Sequence, residues 1–267
     1  MNNLITRAKE LLENKSVQVI IGYESGPTGV ARPAFITDPS KAEALIYDER
    51  CVQNLAVYLT KPEVKCLGKI AIVATLPVMR SIMMLISEQQ IFAESIVVLG
   101  ISAEGSVLDI ADIRVMQGYI EKSDLSNPVK YKELLAGLNK LSPEEKFAYW
   151  QKELSKCIKC YACRQACPMC YCTRCTVEVN QPQWIPVQSN AHGNMEWHIL
   201  RAMHLAGRCI SCGECGRACP VGIPCHLLTM HLTDQVYNYF NVYAGTSEKM
   251  SSVLSTFEPN DKESFII

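Results

Sequence analysis

The sequence predicts an α/β N-terminal domain over residues 1–145, a smaller α+β domain with flanking helices over 146–245, and a polar tail over 246–267. Three observations support this. Residues 68–74 and 95–101 are short, apolar, Ile/Val-rich runs separated by a helical stretch at 80–90, the pattern of a parallel βαβ unit. Twelve of the fourteen cysteines lie between Cys157 and Cys225, so the chemistry-bearing residues gather in the second half. At 267 residues, with 48% of them apolar, the chain is long enough for two separately packed cores.

The first sixteen residues read as an amphipathic helix. Arg7 and Lys9 interrupt the apolar stretch that a signal peptide needs, so a cytoplasmic protein is expected. Residues 17–23 form a β-branched run that ends in a glycine-containing loop at 22–29. That loop lacks the G-x-G-x-x-G order and a clear following helix, so it reads as a plain loop rather than a phosphate cradle. Residues 32–37 predict a short strand, Pro39 and Ser40 open a helical stretch over 41–46, and 51–59 is apolar at helical spacing. Two polar helices follow between Lys130 and Lys156. The second opens on Ser142, Pro143 and Glu145, a capping box with proline at the first helical position. Further on, 184–186 reads as extended, and 194–205 as a helix with Trp197, Leu200, Met203 and His204 at helical spacing. Residues 226–243 predict another amphipathic helix. The tail, ending in Phe265, Ile266 and Ile267, is expected to dock on a partner.

Net charge is −1 with acids and bases interleaved, which leaves no basic stripe for nucleic acid and no polybasic patch for anionic lipid. The most apolar stretches, near 70–79 and 95–101, are far too short to span a membrane. Clustered C-x-x-C spacing in a chain without an export signal points to metal rather than disulfides. Cys51 and Cys66, outside the cluster, are expected to be small buried hydrophobes.

Eight cysteines repeat one pattern. Cys157, Cys160, Cys163 and Cys167 precede Pro168; Cys209, Cys212, Cys215 and Cys219 precede Pro220. Both read C-x2-C-x2-C-x3-C-P, the bacterial ferredoxin run that holds a four-iron, four-sulfur cubane. The second domain is therefore expected to be ferredoxin-like and to hold two 4Fe-4S clusters. In two-cluster ferredoxins the fourth cysteine of each run serves the other cluster. On that rule Cys157, Cys160, Cys163 and Cys219 hold cluster I, and Cys209, Cys212, Cys215 and Cys167 hold cluster II. Each run closing on its own cluster is the alternative. Cys170, Cys172 and Cys175 exceed this need. Three readings stay open: a third cluster, with Cys225 or a first-domain residue as fourth ligand; a zinc site completed by a histidine; or reduced thiols packed beside the clusters. No nucleophile–base pair and no acid/base dyad is recognisable.

The stretch from Cys157 to Cys172, His204 to Cys209, and Pro220 to Pro224 resembles the beta-subunit family of deazaflavin-dependent hydrogenases and formate dehydrogenases, together with relatives that accompany heterodisulfide-reductase-like complexes. Shorter pieces, Arg32-Pro33, 48–56 and Arg80-Ser81, extend the resemblance into the first domain. It implies an α/β first domain and an electron relay between a flavin-bearing or hydrogenase/dehydrogenase-type subunit and another redox subunit, hence a hetero-oligomer. Many relatives carry two cysteines where this chain has Pro77 and Ala103, so the resemblance implies a first domain that serves as scaffold, with no flavin expected. The rival readings are a flavin enzyme acting on a deazaflavin or nicotinamide, and a zinc-organised assembly factor.

Overall fold

The computed structural model describes residues 2–179, 181–250, 252–254, 256 and 259. Its contacts divide the chain into two units. One is Met1–Ser123 with Gly245–Met250, and the other is Asp124–Ala244 with the chain beyond Met250. Phe265, Ile266 and Ile267, expected to dock on a partner, lie outside the described residues.

The first unit is built on a mixed sheet of β1 (Val19–Ser25), β2 (Ala31–Ile36), β3 (Leu45–Ile46), β4 (Ile70–Ala74), β5 (Ile96–Ile101) and β6 (Val107–Leu108). The order is β2-β1-β4-β5-β6, with β3 also on β1. β1–β4 and β4–β5 are parallel, with Val19 opposite Ile70 and Ile70 opposite Ile96. All five residues of β4 are buried, the unbroken apolar run of an inner parallel strand. β2, at the end of the sheet, alternates buried Ala31, Ala34 and Ile36 with exposed positions and tolerates Pro33 there.

The loop read at 22–29 is in fact the end of β1 and the turn of its hairpin with β2, closed by Gly26 N–H donating to Val30 O at 2.8 Å. Gly22 lies inside the strand because a Cβ there would collide with Leu45. Residues 39–44 and 55–58 form 3-10 turns in place of the expected helices, each capped by an acceptor side chain, Asp38 or Asn54, and Leu45 and Ile46, expected in the first of those helices, form β3 because they pair with β1.

Helix α1 (Asn2–Glu13) buries Leu4, Ala8, Leu11 and Leu12 along one face. The short α2 spans Pro62–Lys65, α3 spans Leu76–Ser87 and α4 spans Ile113–Glu121. Of the two isolated cysteines, Cys51 is buried as expected. Cys66 is exposed, against expectation, because it caps the C-terminal end of α2 and its thiol donates to Glu63 O rather than entering the core. Asn54 and Ser81, from separate pieces of the family resemblance, meet: Asn54 Nδ2 donates to Ser81 Oγ at 2.9 Å. Pro77 sits in the first turn of α3, where a missing N–H costs nothing.

The second unit contains α5 (Val129–Asn139), α6 (Pro143–Ser155), α7 (Ala162–Gln165), α8 (Ala191–His204), α9 (Glu214–Arg217) and α10 (His226–Phe240). The capping box is formed: Ser142 Oγ accepts from Glu145 N–H at 3.2 Å, and Glu145 accepts from Ser142 N–H at 2.8 Å. No strand occurs among the described residues of this unit, where the sequence reading expects α+β. Loops and the one-turn helices α7 and α9 carry the cysteine runs. Leu154, Val177, Ile185, Trp197 and Ile223 form its core together with Cys163, Cys215 and Cys225. Among the described residues, no helix is long and apolar enough to cross a membrane.

Candidate metal centres

The two cysteine runs fold into the same backbone. Two residues after the first cysteine, Lys159 (φ 50°) and Ser211 (φ 59°) are left-handed, and two further on so are Tyr161 (φ 58°) and Gly213 (φ 77°). Each left-handed pair turns the loop inward and hands it to a one-turn helix, α7 or α9, and these two helices pack on one another. The turn aims backbone donors at sulfur. Lys159 N–H donates to Cys157 Sγ at 3.3 Å, Ser211 N–H to Cys209 Sγ at 3.4 Å, and Ile223 N–H to Cys219 Sγ at 3.3 Å.

The long helices reach the same point of each loop. Asn194 of α8 donates to Cys157 O at 2.8 Å, and the Thr233 hydroxyl of α10, 3.1 Å from Thr229 O, also lies 3.5 Å from Cys209 O. Lys159 is buried, its amine donating to Pro186 O. That contact ties the first loop to the extended stretch predicted at 184–186.

Two small cavities lie beside the runs. One is lined by Cys157, Cys160, Cys163 and Cys219. The other is lined by Cys167, Cys209, Cys212 and Cys215. Each therefore gathers three cysteines of one run and the last of the other. Cys225 also lines the first cavity. Its thiol donates to Cys215 O at 3.2 Å and lies beside the thiols of Cys163 and Cys215, one from each cavity.

Helix α8 presents an unexpected face. The stripe read as Trp197, Leu200, Met203 and His204 is rotated: Asn194, Trp197, His198 and Arg201 are buried, while Met203 and His204 are exposed. Arg201 is 5% exposed, donates to Cys163 O at 3.0 Å and lines the second cavity. The signal was present in the sequence: Asn194, His198 and Arg201 share a helical face with Trp197, but polar side chains do not read as a buried stripe.

These surroundings fix the state of the thiols. Burial pushes Cys212 up to about 12 and raises Cys157 and Cys209. A hydrogen bond from Cys225 draws Cys215 down to about 7 and lowers Cys163, while the Cys225 thiol is raised by the same contacts. Cys170 falls to about 6 through its hydrogen bond with Cys167, whose own thiol is raised. Burial, reinforced by Arg201 and Lys159, lowers His198 to about 4, so its ring is neutral at pH 7.

Iron–sulfur clusters fit this donor set. Trp197 and His198 line the first cavity, and Trp197 Nε1 and His198 Nε2 are buried without a hydrogen-bond partner. Arg201 Nε, beside the second cavity, is likewise unpartnered. Buried donors of this kind match the sulfides of a cluster, and such hydrogen bonds tune its potential.

Residues 153–223 match the family model of the 4Fe-4S dicluster domain. Over 76 residues the chain is 38% identical to the F420-dependent formate dehydrogenase subunit beta of Methanocaldococcus jannaschii, covering 28% of this chain and 19% of that protein. A stretch of 28 residues is 50% identical to the F420-dependent formate dehydrogenase 1 subunit beta of Methanococcus maripaludis, covering 10% and 7%. These matches span a fifth or less of the relatives' length.

Proposed function

We propose that this chain is an electron-transfer subunit that relays single electrons through two 4Fe-4S clusters between redox partners of an oxidoreductase complex. The observation that carries the reading is the crosswise gathering of cysteines. Three from one run and the fourth from the other line each of two cavities.

On this reading Cys157, Cys160, Cys163 and Cys219 hold cluster I, and Cys209, Cys212, Cys215 and Cys167 hold cluster II. Each bound cluster supplies a one-electron acceptor and donor. The chain does the rest. The inward loops keep the two sites adjacent, Ile210, Ile223 and Trp197 exclude water, and the N–H groups of Lys159, Ser211 and Ile223 place positive dipole ends on cysteine sulfur.

The beta-subunit character of the relatives favours a hetero-oligomer in which one site faces a dehydrogenase-type partner and the other a second redox subunit. The resemblance noted in the sequence favours a first domain that is a scaffold without flavin; Pro77 lies in the first turn of α3 and Ala103 in a turn.

Protein purified without oxygen is expected to carry at least about eight iron and eight acid-labile sulfide per chain and no flavin. Fewer than eight would sink the two-cluster reading. Stoichiometric flavin would move the chain to the flavin-enzyme class.

A further inference from the structure

The three cysteines beyond the ferredoxin runs have a cavity of their own. Cys170, Cys172 and Cys175 line one space together with Arg164, Arg201 and His204. We infer that this is a third iron–sulfur cluster site, held by Cys170, Cys172 and Cys175, with His204 as the ligand of the fourth corner. The inference rests on the reading that the domain binds clusters, and extends it to residues outside both runs.

Four observations carry it. The segment is held in place rather than trailing: Arg164 donates to Cys172 O at 2.7 Å and to the Glu178 carboxylate at 3.0 Å, and Cys170 N–H donates to Cys167 O at 3.0 Å. After the last of the three thiols, Cys175 O accepts from both Glu178 N–H and Val179 N–H, at 3.0 and 2.7 Å, which fixes the turn that carries it.

The cavity also has an unused buried donor. Arg201 is buried, lines this cavity as well as the second, and its Nε has no hydrogen-bond partner. A cationic side chain sunk among thiols matches an anionic group bound on deprotonated cysteines.

The third observation is the donor set: three thiols within six residues line one cavity, and neither ferredoxin run needs them. The fourth is the choice of remaining ligand. Besides the three thiols, His204, in the last turn of α8, is the imidazole that lines the cavity, and imidazole replaces thiolate on iron in some clusters. Cys225, the other residue weighed for this role, lines the first cavity instead. The site adjoins the second cavity through Arg201, so it extends the relay outward to a third station.

The test is metal content on the full chain purified without oxygen, for the unaltered protein and for Cys172→Ser combined with Cys175→Ser. The expected result is about twelve iron and twelve sulfide, falling to about eight in the variant, with the spectra of two clusters retained. Eight iron in both would overturn the third site and leave the two-cluster reading standing. So would one zinc per chain that disappears in the variant. Fewer than eight iron, unchanged by the variant, would overturn both readings. Because a multiple variant risks misfolding, His204→Ala provides a second readout: the signal of one cluster among three should change, and three unaltered signals would remove His204 as ligand.

Discussion

Lys159 and Ser211 occupy the same left-handed conformation in two separate loops, and each donates its N–H to the sulfur of the cysteine two residues before it, at 3.3 and 3.4 Å. The equivalence repeats outward from that pair. α7 and α9 follow at the same offset, and Asn194 and Thr233 lie at the carbonyl of the first cysteine in each run. The domain is two copies of one loop facing each other, each supported by a different long helix.

Arg201 bears on both the second and third cavities, and its charge is positive. Removing it favours the oxidised, less negative state of a neighbouring cluster, so Arg201→Met should lower a reduction potential. A shift of roughly 60 mV corresponds to a tenfold change in a one-electron equilibrium and is the expected order. Potentiometric titration followed by electron paramagnetic resonance reads it; a rise or no change would contradict the electrostatic role.

Cys212, raised by burial to about 12, gives the metal-free protein a pH signature. The folded thiol keeps its proton at a pH where the unfolded one, near 9, has lost it. The folded state therefore binds more protons between pH 9 and 12, and its stability falls as pH rises through that window. With the cluster bound the thiolate is already on iron and the loss disappears. Urea midpoints of apo and cluster-loaded protein at pH 8 and 10.5 should diverge; equal pH dependence would be the contrary result.

Cys225 lies beside the thiols of Cys163 and Cys215, and the account gives it no iron. Cys225→Ala should keep the full iron content and cost about 1 kcal/mol for the small void left at this buried position. Loss of about four iron would make it a ligand.

Ser142 closes the capping box of α6, which packs on α8. Ser142→Ala should destabilise the protein by about 1 kcal/mol in urea unfolding with iron content unchanged. An effect on iron would mean that α6 positions the clusters as well as supporting them.

Much of this architecture was legible beforehand because local rules specify it. The inner strands β4 and β5 are continuous apolar runs, and the capping box of Ser142 and Glu145 is a contact between near neighbours. Helix lengths at 41–46 and 51–59 were over-read, since Asp38 and Asn54 cap only 3-10 turns there. The α8 face was misjudged for a tertiary reason: Asn194, His198 and Arg201 are buried against cysteine loops, where polar side chains find partners that no apolar periodicity announces. The exposure of Cys66 depends on where α2 ends, one residue earlier, which spacing alone does not decide.

The most direct test of the central claim is the iron content of Cys163→Ser, Cys219→Ser and the double variant. These two cysteines belong to different runs but line one cavity. Each single variant should lose about four iron, and the double variant should lose no more than either alone. Loss of about eight in the double variant would mean that each run closes on its own cluster, and the crosswise architecture would be wrong.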